Sequence, residues 1–327
     1  MPLLPAGENK GFVLAERHQF ADEVESRRIA VLLHGLQSGS SAAMAMEAPH
    51  RNAGMAGMGS QRRRQSAGRA SVRADWEGSM IHYHGTPVSG SRVDAVRFLT
   101  GRHAFVSFAA PDDLAVALGV AQSVALDNGA FSLWRKGGDV PFSDYHAWVQ
   151  SMAGHPALDW CVIPDKIDGT EDENAELVTQ WLRWGSRVEG VPVWHLHESL
   201  NWLGYLVTRF RTVALGSSGQ WSQPGTAQWW GRMAEAMAVA CDDKGRPRCR
   251  LHGLRMLDPE VFTRLPLASA DSTNAAVNAG SVSRFGSYPA PTAGQRAEVI
   301  ASRIEVHSSS ASWQCSGRQQ GLELSAA

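Results

Sequence analysis

From Met80 onward the chain alternates short apolar runs with amphipathic stretches, and this alternation constrains the fold more than any other feature. Eight runs read as buried strands: Met80–His84, His103–Phe108, Ser123–Leu126, Trp160–Pro164, Val191–Leu196, Thr212–Leu215, Arg250–Leu254 and Leu267–Ala270. Helical spacing appears between them. Leu203, Leu206, Val207 and Phe210 fall at i, i+3, i+4 and i+7, a single apolar stripe. Leu177, Val178, Trp181 and Leu182 share a face, and Thr170 with Glu173 has capping-box spacing ahead of them. Trp230, Met233 and Met237 give another register, and a last helix is expected near Gln295 to Val306. Near-continuous apolar strands alternating with helices imply a parallel sheet covered by those helices. Eight such units within about 230 residues fit a (β/α)8 barrel. A doubly wound sheet would want a glycine-rich phosphate loop after the first strand, and His84-Gly85-Thr86-Pro87 is not one.

The flanks read differently. Residues 1–79 form a separate extension, residues 80–313 the barrel and residues 314–327 a tail. Ser38 to Ser71 is built of Ala, Gly, Ser, Met and Arg without apolar period, a composition that predicts disorder. Arg62-Arg63-Arg64, with Arg69 and Arg73, suits either a solvated arm or contact with phosphates. Ile29 to Leu36 is a strand candidate whose His-Gly is similar to the oxyanion loop of α/β-hydrolases, but no Gly-x-Ser-x-Gly accompanies it. Lys+Arg is 31 and Asp+Glu is 32, so charge gives no global polyanion signal. No apolar run approaches the roughly 20 residues of a membrane span. A cytoplasmic protein without a membrane partner is expected, with Cys161, Cys241, Cys249 and Cys315 as reduced thiols.

In a barrel the working groups sit where strands end. Here those positions carry Asp127, Asp165, His195, His197, Ser217, Ser218, Arg255 and Asp271. A carboxylate at the end of a buried strand is costly unless something holds it. Three on one mouth push each other's proton affinities apart, so one ionised nucleophile and one proton carrier can coexist. Each has a plainer use. Asp127 can cap the Asn128-Gly129 turn, Asp165 a turn after Pro164, and Asp271 an Asx-turn. His195 and His197 share one side of an extended strand, and one of them can be structural. A metal-dependent barrel hydrolase is the competing enzyme class, because His82-x-His84 stands on the first strand and His195 on the fifth. Cys241, Cys249 and His252 lack close zinc spacing. A barrel that only binds a nucleotide or nucleic acid is the non-enzyme alternative.

Val124-Ala-Leu-Asp-Asn-Gly-Ala-Phe131 resembles the Asp-Ser-Gly-Gly-aromatic segment of tRNA-guanine transglycosylases. Further segments are similar to that family in the same order: Val162-Ile-Pro-Asp165, Ala214-Leu-Gly-Ser-Ser-Gly219, His252-Gly253-Leu254-Arg255 and Ala268-Ser-Ala-Asp271. The branch that places 7-deazaguanine bases into DNA is the nearest in character. The resemblance implies base exchange, with Asp271 as nucleophile at the sugar C1′ and Asp127 relaying protons. It implies that Asp165 recognises the amino edge of a guanine-type base and that Phe131 stacks on it, with His252 or Leu254 opposite. The Gly216 amide would bind the exocyclic oxygen, with Ser217 in the same loop. His195 or His197 stands where the family often has Gln, and Arg255 completes the segment at the seventh strand. No cofactor and no metal is implied. The family's Cys-x-Cys-x-x-Cys zinc motif is missing, since only Cys315 follows Asp271, and Ser272-Thr273-Asn274 replaces the usual residues after the nucleophile. DNA is therefore expected as the partner more than tRNA.

Overall fold

The computed structural model describes residues 80–138, 141–287 and 289–314. The expectations for residues 1–79 and for Cys315 lie outside the described residues. The strands are β1 Ile81–Gly85, β2 His103–Ser107, β3 Ser123–Asp127, β4 Leu158–Val162, β5 Glu189–Val191, β6 Val193–His195, β7 Thr212–Gly216, β8 Arg250–Gly253 and β9 Ser269–Ser272. Neighbours pair in the order β5-β4-β3-β2-β1-β9-β8-β7-β6. All of these pairings are parallel. The two outermost members, β5 and β6, are separated only by Pro192, so the chain itself joins the ends of the sheet. The Val191 carbonyl accepts from the Ile163 N–H on one side at 2.8 Å, and the Pro192 carbonyl accepts from the Ala214 N–H on the other at 2.9 Å. Proline has no N–H to give a ladder, so the fifth strand of the ring is split into two segments. The result is the expected (β/α)8 barrel, with nine segments at eight positions.

The helices are α1 Arg92–Leu99, α2 Leu114–Val120, α3 Ala130–Trp134, α4 Phe142–Ser151, α5 Glu171–Trp184, α6 Leu200–Arg209, α7 Ala227–Ala240, α8 Pro259–Phe262, α9 Asn274–Asn278 and α10 Ala293–Glu305. Reciprocal capping boxes start three of them: Ser91 with Asp94, Thr170 with Glu173 and Thr292 with Gln295. In α7 the buried stripe runs through Trp229, Met233, Ala236 and Met237, so Trp229 rather than Trp230 heads it. The short α3 and α9 were not expected, because five residues carry too little period to show in a sequence. The last strand also differs in its bounds. It pairs from Ser269 to Ser272 and so contains Asp271 rather than stopping before it. Strand β4 ends at Val162, and Asp165 lies beyond Pro164 in the following loop.

Alternation along each strand divides the core in two. Tyr83, Phe105, Ala125, Trp160, Val162, Val191, Val193 and Ala214 fill the barrel interior. Leu126, Trp194, Leu215 and Leu251 face outward and pack under the helices with Phe98, Tyr145, Leu206, Trp229 and Phe262. Full burial of each large side chain stabilises the fold by about 1.5–3 kcal/mol. The same alternation sends His82 and His84 outward, because Tyr83 between them points in. His84 Nε2 lies 2.8 Å from Glu305 Oε1, and the ring packs against Phe98. His82 Nε2 donates to the His307 carbonyl at 2.9 Å. The His82, His84 and His195 set considered for a metal hydrolase is thus split between the two faces of the sheet. Among the described residues no cluster of three or more His, Cys, Asp or Glu is arranged to hold a metal. Cys161, Cys241 and Cys249 are buried free thiols. No described helix is long and apolar enough to cross a membrane.

Candidate active site at the barrel mouth

Strand register brings the polar residues together. Asp127 ends β3 opposite Ser107 of β2, and Asp271 pairs with inward-facing Tyr83. His195 ends β6 opposite Gly216 of β7. These positions lie at the carboxyl ends of the strands, where side chains of alternating residues enter the mouth.

Asp127 is half-buried at the end of β3. Burial pushes its carboxyl up to about 7. The Ser107 hydroxyl and the Gly129 amide, at 3.1 Å, work in the opposite direction. The charges of Asp271 and Asp165 add to the rise, so the three acids share one electrostatic environment. Asp127 also serves the plainer use, since its Oδ2 caps the turn at Gly129. That turn needs glycine: φ is +79°, and a Cβ there would lie 2.8 Å from the Ala109 nitrogen.

Asp165 is buried and clamped. Its Oδ1 accepts from Asn128 Nδ2 at 2.6 Å, and its Oδ2 lies 2.8 Å from His195 Nε2. A carboxylate oxygen has two acceptor sites, so each keeps one for a further donor. Burial disfavours charge on His195, but the Asp165 carboxylate and Glu198 overcome it and hold the imidazole above its ordinary value. Glu198 Oε2 accepts from the His195 amide at 2.8 Å, and its Oε1 accepts from Asn174 at 2.8 Å. His195 Nδ1 is buried, makes no hydrogen bond to a described residue and packs against Gly216.

His197 ties loops together. Its Nε2 is 2.8 Å from the Gly169 carbonyl, which can only accept, so that nitrogen carries the proton. Its Nδ1 then accepts from the Ser218 hydroxyl at 2.7 Å. Ser217 accepts from the indole of Trp229 at 2.9 Å. The first braces loop against loop, and the second braces the loop after β7 against α7. Asp271 is 4 % exposed. Its Oδ1 accepts from the Arg255 amide at 2.8 Å, and its Oδ2 makes no hydrogen bond to a described residue. His252 has no exposed surface and lies inside the barrel behind Asp271, so it is not a wall of the open mouth. Phe131, on α3, is half-buried, and the Arg255 guanidinium covers its ring at 3.9 Å.

Sequence reasoning missed Ser107, Asn128, Asn174 and Glu198. Asn128 and Glu198 each stand next to a residue already singled out, and that adjacency was the only signal available. Cavities flank the barrel at both ends. One of about 270 Å³ opens beside Asp165 and is lined by it with Lys166, Ala130, Trp134 and Phe142. A larger one, about 400 Å³, lies at the opposite end among Met80, His82, Arg102, His103 and Glu305, away from Asp127, Asp165 and Asp271. The first reaches the strand-end acids only through Asp165; Asp127 and Asp271 do not line it.

No protein-family model matches the chain, and no curated protein matches it. Among solved structures the chain is similar to one from the tryptophan synthase α2β2 complex of Pyrococcus furiosus, at 11% identity and a TM-score of 0.39, over 69% of this chain and 96% of that one. It is similar to two mutants of the tryptophan synthase alpha-subunit from the same organism, at 11% identity and TM-scores of 0.40, with the same coverage.

Proposed function

We propose that this barrel is a base-exchange glycosyltransferase, a pentosyltransferase that replaces guanine with a 7-deazaguanine-type base in nucleic acid, DNA rather than tRNA. The observation that carries the reading is three carboxylates at one mouth, each held differently. Asp271 is gripped by one oxygen only. Asp127 is pushed to about 7, which suits a group that must both give and take a proton. Asp165 is fixed by Asn128 and His195 with acceptor sites to spare.

In this reading Asp271 Oδ2 attacks the sugar C1′ as the bond from C1′ to guanine breaks. The bonding pair leaves with the base, which takes a proton from Asp127. An aspartyl–sugar ester remains. The incoming base then gives its ring proton to Asp127, attacks C1′ and releases Asp271, so the two inversions give net retention. Asp165 accepts from the amino edge, the Gly216 amide meets the exocyclic oxygen, and Phe131 offers a stacking face. A nucleotide in a duplex must be flipped out first.

The test is incubation of the protein with guanine-containing DNA and a 7-deazaguanine-type base. Guanine release matched by base incorporation, absent in Asp271→Asn, supports the reading. Hydrolysis that requires added zinc or manganese, without incorporation, would indicate a metal hydrolase. Tight binding without guanine release would indicate a non-catalytic barrel.

A further inference from the structure

Ser269, His252 and Asp271 form a line inside the barrel that follows directly from strand geometry. His252 of β8 pairs in register with Ser269 of β9, and Asp271 is two residues further along the same face. His252 Nδ1 lies 2.8 Å from Ser269 Oγ. On the other side of the ring, Nε2 approaches Asp271 Oδ1 to 3.4 Å, at ion-pair distance, and makes no hydrogen bond to a described residue, although His252 is completely buried. The ring is boxed by Trp160, Phe105 and Tyr83, with centroid distances of 4.8, 5.6 and 6.0 Å. It cannot reorient without disturbing that packing.

A carboxylate only accepts hydrogen bonds, so a bare Nε2 facing it would set two lone pairs against each other in a place water does not reach. The Ser269 hydroxyl can donate or accept, and it therefore adapts to whichever form the ring takes. We propose that His252 is a positioning residue for Asp271. It carries its proton on Nε2, holds Oδ1 from the barrel interior together with the Arg255 amide, and leaves Oδ2 as the reacting oxygen. This deepens the glycosyl-transfer reading and rests on it for the identity of the reaction. When the ester forms through Oδ2, Oδ1 becomes its carbonyl oxygen and still accepts from the same two donors. When the ester breaks, those donors receive the returning negative charge, which is the geometry of preorganised anion stabilisation.

Two measurements test this, one of them independent of any activity. In ¹⁵N-labelled protein, long-range ¹H–¹⁵N correlation, with His252 assigned from the spectrum of His252→Phe, is expected to show a protonated Nε2 and a bare Nδ1. Asp271→Ala should shift both nitrogens toward a tautomer mixture. A wild-type ring with its proton on Nδ1, or one indifferent to Asp271→Ala, overturns the proposal. In the base-exchange assay, His252→Phe fits the aromatic box without an N–H. It should lower kcat roughly 10- to 100-fold with KM little changed, as loss of an orienting partner does. His252→Gln, which returns an N–H near the Nε2 position, should recover most of that loss, and Ser269→Ala should fall between. A folded His252→Phe enzyme with unchanged kcat overturns the role. Wild-type protein that exchanges no base, yet shows the Nε2 proton and its dependence on Asp271, counts against the reaction and not against the bond.

Discussion

The guanidinium of Arg255 lies over the ring of Phe131, 3.9 Å from its centroid. The same residue gives its backbone amide to Asp271 Oδ1 and holds a φ of 58°, alone among the described non-glycine residues in being positive. Phe131 is the aromatic shelf of the proposed site, so a planar ligand and the guanidinium compete for one face. Left-handed backbone costs an ordinary residue roughly 1–2 kcal/mol. Arg255→Gly is expected to leave stability within about 1 kcal/mol of the wild type in urea titrations, because relief of the left-handed backbone is offset by loss of the guanidinium stack and by the greater unfolded-state freedom of glycine. It should also tighten binding of a planar base, read as quenching of Trp134, which lies 5.8 Å from Phe131. Weaker base binding in that variant would show that Arg255 contacts the ligand and does not compete with it.

The Asp165–His195 pair makes a pH-dependent prediction. The fold raises the proton affinity of His195, so the stabilisation it gives is full below the ordinary 6.5 and is lost as pH rises through the raised value. Asp165→Asn leaves a buried imidazole without its counter-charge, and breaking such a pair costs about 3–5 kcal/mol. The loss measured by denaturant unfolding should be largest near pH 6 and shrink toward pH 9. A loss independent of pH would mean that His195 is neutral in the native protein.

Asp127 behaves with the same sign although it is an acid. Its folded value, about 7, exceeds its ordinary 3.8. Below 3.8 the group is protonated in both states; as pH rises from there through 7 the unfolded chain ionises first, and stability is lost over that window. Asp127→Asn should be neutral near pH 4. At pH 8 it should stabilise by roughly 1–2 kcal/mol once the partial exposure of the group is allowed for. Base release, which needs a proton on Asp127, should fall in the wild type as pH passes 7.

Gly216 is a packing requirement of the site. A Cβ there would meet His195 Nδ1 at 3.0 Å and Val193 Cγ1 at 3.1 Å. Gly216→Ala should cost about 1–3 kcal/mol, as other overpacked positions do. It should also displace His195, visible as a changed imidazole resonance. An unperturbed His195 would contradict this contact.

The barrel was legible because its signal is periodic: apolar strands, amphipathic helices, and capping pairs such as Thr170 with Glu173. Asp127 and Asp271 could be placed at one mouth because parallel strands put their carboxyl ends on one side. What the sequence withheld depends on distances between strands. Nothing adjacent to His252 indicates that it lies behind Asp271, since register, not sequence proximity, pairs it with Ser269. His197 looks equivalent to His195 in sequence, yet the Gly169 carbonyl and the Ser218 hydroxyl make it a brace. The split at Pro192 divided a strand that reads as continuous, because its two halves bond to different neighbours.

The central claim is that Asp271 becomes covalently bound to a sugar. Intact-mass measurement, followed by peptide mapping, of protein quenched during turnover with DNA and a 7-deazaguanine-type base addresses it directly. The account predicts a nucleic-acid adduct on the peptide containing Asp271, absent in Asp271→Asn and accumulating when the incoming base is withheld. Base exchange that continues undiminished in Asp271→Asn, or an adduct mapped to another residue, would contradict it.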